Sequence, residues 1–284
     1  MLMRLPTFFI LGAAKSGTTS LHHYLTLHPE IFMSRPKEPT FFSHPFQVVR
    51  NPLAYAHLFA AVGDEVHVGE SSHAYLSHPE APAVIRAFFP DAKFVLLLRD
   101  PVTRAWSLYE HMRRHGFERA RTFEQALALE PRRLASSRFA RRCPQYFHNY
   151  MYVGSGRYDE QLARYFDLYP RDRFCIHTFE QFSADPRGVL RAVQDFLGVE
   201  PRELDATTVH NSNSGRPIAP VLGRNIRRVT HRIGPRAHRV DEFLRKPRRA
   251  SSPLADATRA RLRDELAPSV GRLRDLLGWD PGWR

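Results

Sequence analysis

Phe8-Phe9-Ile10-Leu11 runs without a polar break into Gly12-Ala13-Ala14-Lys15-Ser16-Gly17-Thr18-Thr19, and Leu21, Tyr24 and Leu25 then recur at helical spacing until His28-Pro29. A continuous apolar run marks a strand buried on both faces, as in a parallel sheet covered by helices. A turn of small residues between such a strand and a helix places a strand-turn-helix unit inside an α/β fold.

That turn also carries chemistry. Backbone N–H groups ahead of a helix, with the positive end of the helix, attract an anion, and Lys15, Ser16, Thr18 and Thr19 add a cation and hydroxyl donors. The spacing resembles a phosphate loop, but Thr18 stands where a nucleoside-triphosphate loop has its lysine, and Lys15 lies inside the turn. The other reading of the glycines is a tight turn that permits close packing.

The same pattern continues along the chain. Val66–Gly69 reads as a second strand, 79–89 as a helix, and Phe94-Val95-Leu96-Leu97-Leu98 as a fully buried strand ending in Arg99-Asp100-Pro101, with Pro101 in the first turn of the next helix. Helices are expected near 122–130 and 156–169, a strand at Phe174–Phe179, a helix beyond it, and a last helix around Arg259–Leu277 that docks through leucines. The expected fold is α/β, a P-loop-like three-layer sandwich around a mainly parallel sheet. With 284 residues we expect one domain spanning 1–284, with an irregular basic segment at about 211–253 and a C-terminal docking helix.

Charge narrows the partners. A formal net charge of +13 favours anions, whether nucleotide, sulfated product, nucleic acid or anionic membrane. Hydrophobic residues at 43% and charged residues at 25% exclude disordered and collagenous chains. The lysines are Lys15, Lys37, Lys93 and Lys246, and the remaining basic charge is arginine. Cys143 and Cys175 permit one disulfide that nothing demands; Cys175, within Phe174-Cys175-Ile176, reads as a buried free thiol, and two distant cysteines do not suit a metal. The apolar run from Thr7 to Ala14 is short for a signal peptide, so the expectation is a cytoplasmic protein with no transmembrane anchoring.

Two segments together resemble the sulfotransferases that use 3'-phosphoadenosine-5'-phosphosulfate (PAPS), especially bacterial members related to the heparan-sulfate or carbohydrate branch. The first is the turn from Phe9 to Leu21; the second runs from Phe94 to Tyr109. The resemblance implies that Lys15, Ser16, Gly17, Thr18 and Thr19 bind the 5' side of the donor. It implies that Arg99 and Ser107 hold the 3'-phosphate, roles that suit a guanidinium fork and a hydroxyl. Without the resemblance, Arg99 could equally pair with Asp100 or a surface carboxylate.

Arg35-Pro36-Lys37-Glu38-Pro39-Thr40-Phe41-Phe42 resembles the loop that carries the family's catalytic glutamate, which assigns the base to Glu38. Lys37 would tune Glu38 or meet an anionic acceptor, or else be solvent exposed. The sequence departs from the heparan-sulfate enzymes at Ser71, where they usually carry lysine, and Lys15 is then the chief candidate to stabilise the leaving phosphate oxygen. Arg216, in Asn211–Arg216, is the candidate for a late loop over the nucleotide. Tyr158 either shapes a pocket or is an ordinary aromatic contact, and His73, His111 and His148 are candidates to enter the acceptor pocket. The implied reaction is direct in-line sulfuryl transfer from PAPS to a hydroxyl, or less readily an amine, of a saccharide or small-molecule acceptor, with no specific nucleic-acid partner and no metal. An ATP-dependent small-molecule kinase and a non-enzymatic basic polyanion-binding protein are the competing readings.

Overall fold

A computed structural model of the chain describes residues 4–206 and 253–283. Its centre is a five-stranded sheet in the order β2-β3-β1-β4-β5, formed by β1 (Phe8–Gly12), β2 (Ile31–Met33), β3 (His67–Ser71), β4 (Lys93–Leu98) and β5 (Phe174–Thr178). Every neighbouring pair is parallel.

The strands alternate faces, and each face has its own core. Phe9, Leu11, Val68, Phe94, Leu96 and Leu98 point to one side. There they meet α2 (Pro52–His57), α3 (Ala74–Ser77), α4 (Ala81–Phe88), α8 (Tyr158–Phe166) and the C-terminal helix, α11 (Asp256–Leu277). Phe8, Ile10, Val95, Leu97 and Cys175 point to the other side, onto α1 (Thr18–Leu25), α9 (Phe179–Ala184) and α10 (Pro186–Leu197). This is the three-layer α/β sandwich expected from the uninterrupted apolar strands. A third cluster joins α5 (Pro101–Arg114), α6 (Phe123–Leu134) and α11, while α7 (Ser137–Arg142) packs Phe139 against its edge. The leucines of α11 dock as expected, with Leu262, Leu266 and Leu273 buried.

One strand was not foreseen. Ile31–Met33 is three residues long, too short for periodicity to reveal, and it forms by pairing with His67–Gly69. Gly69 is required at that junction: a Cβ there would stand 2.4 Å from both Met33 Sδ and the Phe8 ring. No helix among the described residues is long and apolar enough to cross a membrane.

The topology locates the site. From β1 the chain moves to β2 and β3 on one side and then crosses to β4 and β5 on the other, so the crevice of this sheet opens at the carboxyl end of β1. Because all strands run the same way, the segments that follow them emerge on that one edge.

Candidate active site

Each strand contributes its following residues. The turn after β1 holds Lys15, Ser16 and Gly17, and two bonds tie it to β4: Ala13 N–H donates to the Leu97 carbonyl at 2.7 Å, and Arg99 Nη1 donates to the Lys15 carbonyl at 2.9 Å. Lys15 has a left-handed φ of 67°, and at Gly17, with φ 86°, a Cβ would stand 3.3 Å from the rings of Phe179 and Phe182 of α9. No side chain caps the start of α1, and its first turn carries no acid. The Ser16 hydroxyl is buried without a partner. Uncapped N–H groups and an orphaned hydroxyl are what an anion at a helix start would satisfy.

Arg99, directly after β4, does not pair with Asp100. The Asp100 carboxylate instead caps α5, accepting from Thr103 N–H at 2.7 Å. The Arg99 guanidinium lies 4.5 Å from the Phe179 ring centroid, and its Nε has no partner. Burial lowers its pKa, but arginine remains charged. Ser107 is buried on α5, two turns from Asp100.

Two side chains hold the Arg99–Asp100 turn, and a third braces them both. Tyr158 Oη donates to the Arg99 carbonyl at 3.0 Å, and Glu180 Oε1 accepts from Asp100 N–H at 3.2 Å. Trp283 donates to Glu180 Oε2 at 3.2 Å and packs its ring 5.8 Å from that of Tyr158. Tyr158 is therefore a buried support of this turn.

The loop after β2 is laid along β3. Ser34 N–H donates to the Gly69 carbonyl and Glu38 N–H to the Ser71 carbonyl, both at 2.9 Å, and Thr40 N–H donates to Ser72 Oγ at 3.0 Å. Glu38 and Thr40 both adopt left-handed φ, 63° and 49°. Such conformations cost about 1–3 kcal/mol each and persist where the surroundings impose them, often at functional sites. Glu38 Oε2 accepts from the His73 backbone N–H at 2.9 Å and lies 2.9 Å from His73 Nδ1, while Lys37 Nζ contacts Oε1. Burial alone would raise the Glu38 pKa, but His73 and Lys37 outweigh it and hold the carboxyl well below the usual range. Lys37 is thus not a free surface lysine; its side chain is 18% exposed.

These loops share one electrostatic space. Burial, reinforced by Arg114, Arg99 and Lys37, lowers the Lys15 ammonium to about 8. Burial first, then the charge of Lys15, holds His111 at about 2, and burial with Lys37 holds His22 at about 4. His22 and His111 are therefore neutral near pH 7. Positive charge around Lys15 comes from Arg114, Arg99 and Lys37, and Lys37 in turn contacts the Glu38 carboxylate. The ring of His148 lies near those of His78 and Tyr146, and Tyr146 borders His73. Arg216 and the body of the basic segment at 211–253 lie outside the described residues. Sequence reasoning did not single out His22, Phe179 or Glu180. His22 could have been found from its position one helical turn beyond Thr18, whereas Phe179 and Glu180 follow a distant strand with no local motif.

Comparison with known proteins agrees with this geometry. The family model for the sulfotransferase domain matches residues 5–219. The human bifunctional heparan sulfate N-deacetylase/N-sulfotransferase 2 is 30% identical over 209 residues, covering 70% of this chain but 22% of that protein. The chain thus spans about a fifth of the length of such relatives. Human heparan sulfate glucosamine 3-O-sulfotransferase 6 is 28% identical over 284 residues, covering 99% of this chain and 74% of that protein. Among solved structures, a sulfotransferase from Alicyclobacillus acidocaldarius superposes with a TM-score of 0.75 at 30% identity, covering 98% of this chain and 97% of that one.

Proposed function

The chain belongs to the sulfotransferase family, and on that premise we propose that it moves a sulfuryl group from PAPS to a hydroxyl, less readily an amine, of a saccharide or small-molecule acceptor. The observation that supports this reading is that the loops after β1, β2 and β4 bring Lys15, the Lys37–Glu38 pair and Arg99 within electrostatic reach. A saccharide acceptor draws its support from the likeness to the two heparan sulfate enzymes.

In this reading the 5' side of the donor lies over Lys15, Ser16, Gly17, Thr18 and Thr19, where the start of α1 is uncapped and the Ser16 hydroxyl lacks a partner. Arg99 and Ser107 take the 3'-phosphate, with Arg216 as a further candidate from the segment that follows. The donor supplies an activated sulfur whose leaving group is a phosphate oxygen. Lys15 places positive charge where that oxygen becomes negative. Glu38 receives the acceptor's proton as its oxygen or nitrogen attacks, and the alignment of donor and acceptor contributes through proximity.

Calorimetric titration with 3'-phosphoadenosine-5'-phosphate (PAP), beside ATP with magnesium, tests the donor class. Stoichiometric binding of PAP in preference to ATP is the expected outcome. Preference for ATP would move the assignment to a kinase, and binding of neither would favour a non-enzymatic polyanion-binding protein.

A further inference from the structure

Both carboxylate oxygens of Glu38 already have partners. Its Oε2 already accepts from the His73 backbone and faces His73 Nδ1, so Oε1 is the oxygen with room, and Lys37 covers it. Successive side chains on an extended backbone point to opposite faces; the left-handed φ of Glu38 departs from that geometry and lets the two neighbours meet. The contact offsets the charge of Glu38, whereas among the described residues the charges acting most on Lys15 are all positive, those of Arg114, Arg99 and Lys37. Lys37, on the loop after β2, is among the cations that lower Lys15, on the turn after β1, so the two ammonium groups repel each other. The other groups facing Glu38 offer no substitute: His22 is buried and neutral, and Glu70, beneath the loop on β3, bonds to Tyr55 and Tyr75. An oxyanion placed between the two lysines would relieve their repulsion and compete with Glu38 for Lys37, whose flexible stem permits the exchange.

We propose that Lys37 is a switchable cation of the transfer step, latched on Glu38 Oε1 in the free protein and drawn onto an entering oxyanion, so that Oε1 becomes available as proton acceptor only once that oxyanion is in place. This rests on Glu38 being the base. Two sources share the required chemistry, the sulfuryl group of the donor and an anionic group on the acceptor. The sulfuryl group is favoured because Lys15 belongs to the turn that holds the donor. In the step itself the acceptor oxygen bonds to sulfur and the bond from sulfur to the 5'-phosphate oxygen breaks with its electron pair on that oxygen. The acceptor proton goes to Oε1, and Lys37 offsets charge on the sulfuryl oxygens.

The chain has four lysines, Lys15, Lys37, Lys93 and Lys246, so nitrogen NMR of the ammonium groups can follow Lys37 at neutral pH once Lys37→Gln has assigned its signal. In the free protein, Glu38→Gln should shift the Lys37 signal. With PAPS bound, the signal should move, and Glu38→Gln should no longer affect it. PAP, which lacks the sulfuryl group, should leave the free-state behaviour intact. Movement with glucuronate but not with PAPS would uphold the latch and assign the oxyanion to the acceptor. A Lys37 signal indifferent to both, equally sensitive to Glu38→Gln in free and PAPS-bound protein, or already released by PAP, overturns the proposal. Sulfated product formed at an undiminished rate by Glu38→Gln would instead defeat the base assignment, whatever the lysine signals do.

Discussion

Replacing Arg99 with alanine separates a phosphate ligand from a structural support. One guanidinium edge is committed, since Nη1 donates to the Lys15 carbonyl at 2.9 Å, whereas Nε is buried without a partner. The plane is set by Phe179, 4.5 Å away. Two charge-assisted bonds from the remaining edge to a 3'-phosphate, at the low end of about 1.5–3 kcal/mol each, give a loss of about 3 kcal/mol. That is a weakening of PAP binding by roughly 150-fold. The substitution also strands the Lys15 carbonyl and loosens the anion-binding turn, which would weaken any ligand of the 5' side. Calorimetry should therefore be run with both PAP and AMP, which lacks the 3'-phosphate, on wild type and Arg99→Ala. The difference between the two losses isolates the contact with the 3'-phosphate. A large loss for PAP with a loss under about threefold for AMP is expected. Equal losses would mean that Arg99 only supports the turn, and the site for the 3'-phosphate would have to be sought elsewhere.

Glu38→Gln should lower turnover by about 10²–10⁴-fold, the usual contribution of a positioned base, while PAP affinity measured by calorimetry stays near that of wild type. Lys15 is lowered to about 8 by burial and neighbouring cations, so its charge is present below that pH and lost above it. PAP affinity should accordingly fall above about pH 8, and Lys15→Met should remove that alkaline decline. Glu70 is fully buried and its pKa is raised to about 7 by burial, partly offset by hydrogen bonds that include those from Tyr75 and Tyr55. Between its ordinary value and 7 the folded state binds the extra proton, so stability falls as pH rises through that window. Glu70→Gln should remove this loss, raising stability in urea unfolding by about 3 kcal/mol at pH 8 and little at pH 4; an equal effect at both would refute it.

Much of this molecule is legible locally because each feature is carried by a few consecutive residues. Phe8–Leu11 and Phe94–Leu98 are apolar on both faces, and only a covered parallel sheet buries both. The turn from Gly12 to Thr19 reads as a candidate anion site through small residues, hydroxyls and a lysine ahead of a helix, and Pro101 announces the helix after Arg99. In the same way the leucines of α11 predicted docking from their spacing alone.

What tertiary structure decided are the relations that no local pattern encodes. Ile31–Met33 becomes a strand because β3 lies beside it. His73 meets Glu38 across 35 positions, and Glu180 reaches Asp100 across 80. Whether Arg99 pairs with Asp100 was open in the sequence; it closed once Asp100 turned to cap α5 and Arg99 bonded to the Lys15 carbonyl. Likewise Lys37 passed from a lysine that could face solvent to the partner of Glu38, through a backbone conformation imposed by the loop's bonds to β3. Composition and periodicity report which side chains must leave water. Which charges then face one another depends on strand order and loop path, set by the whole sheet at once.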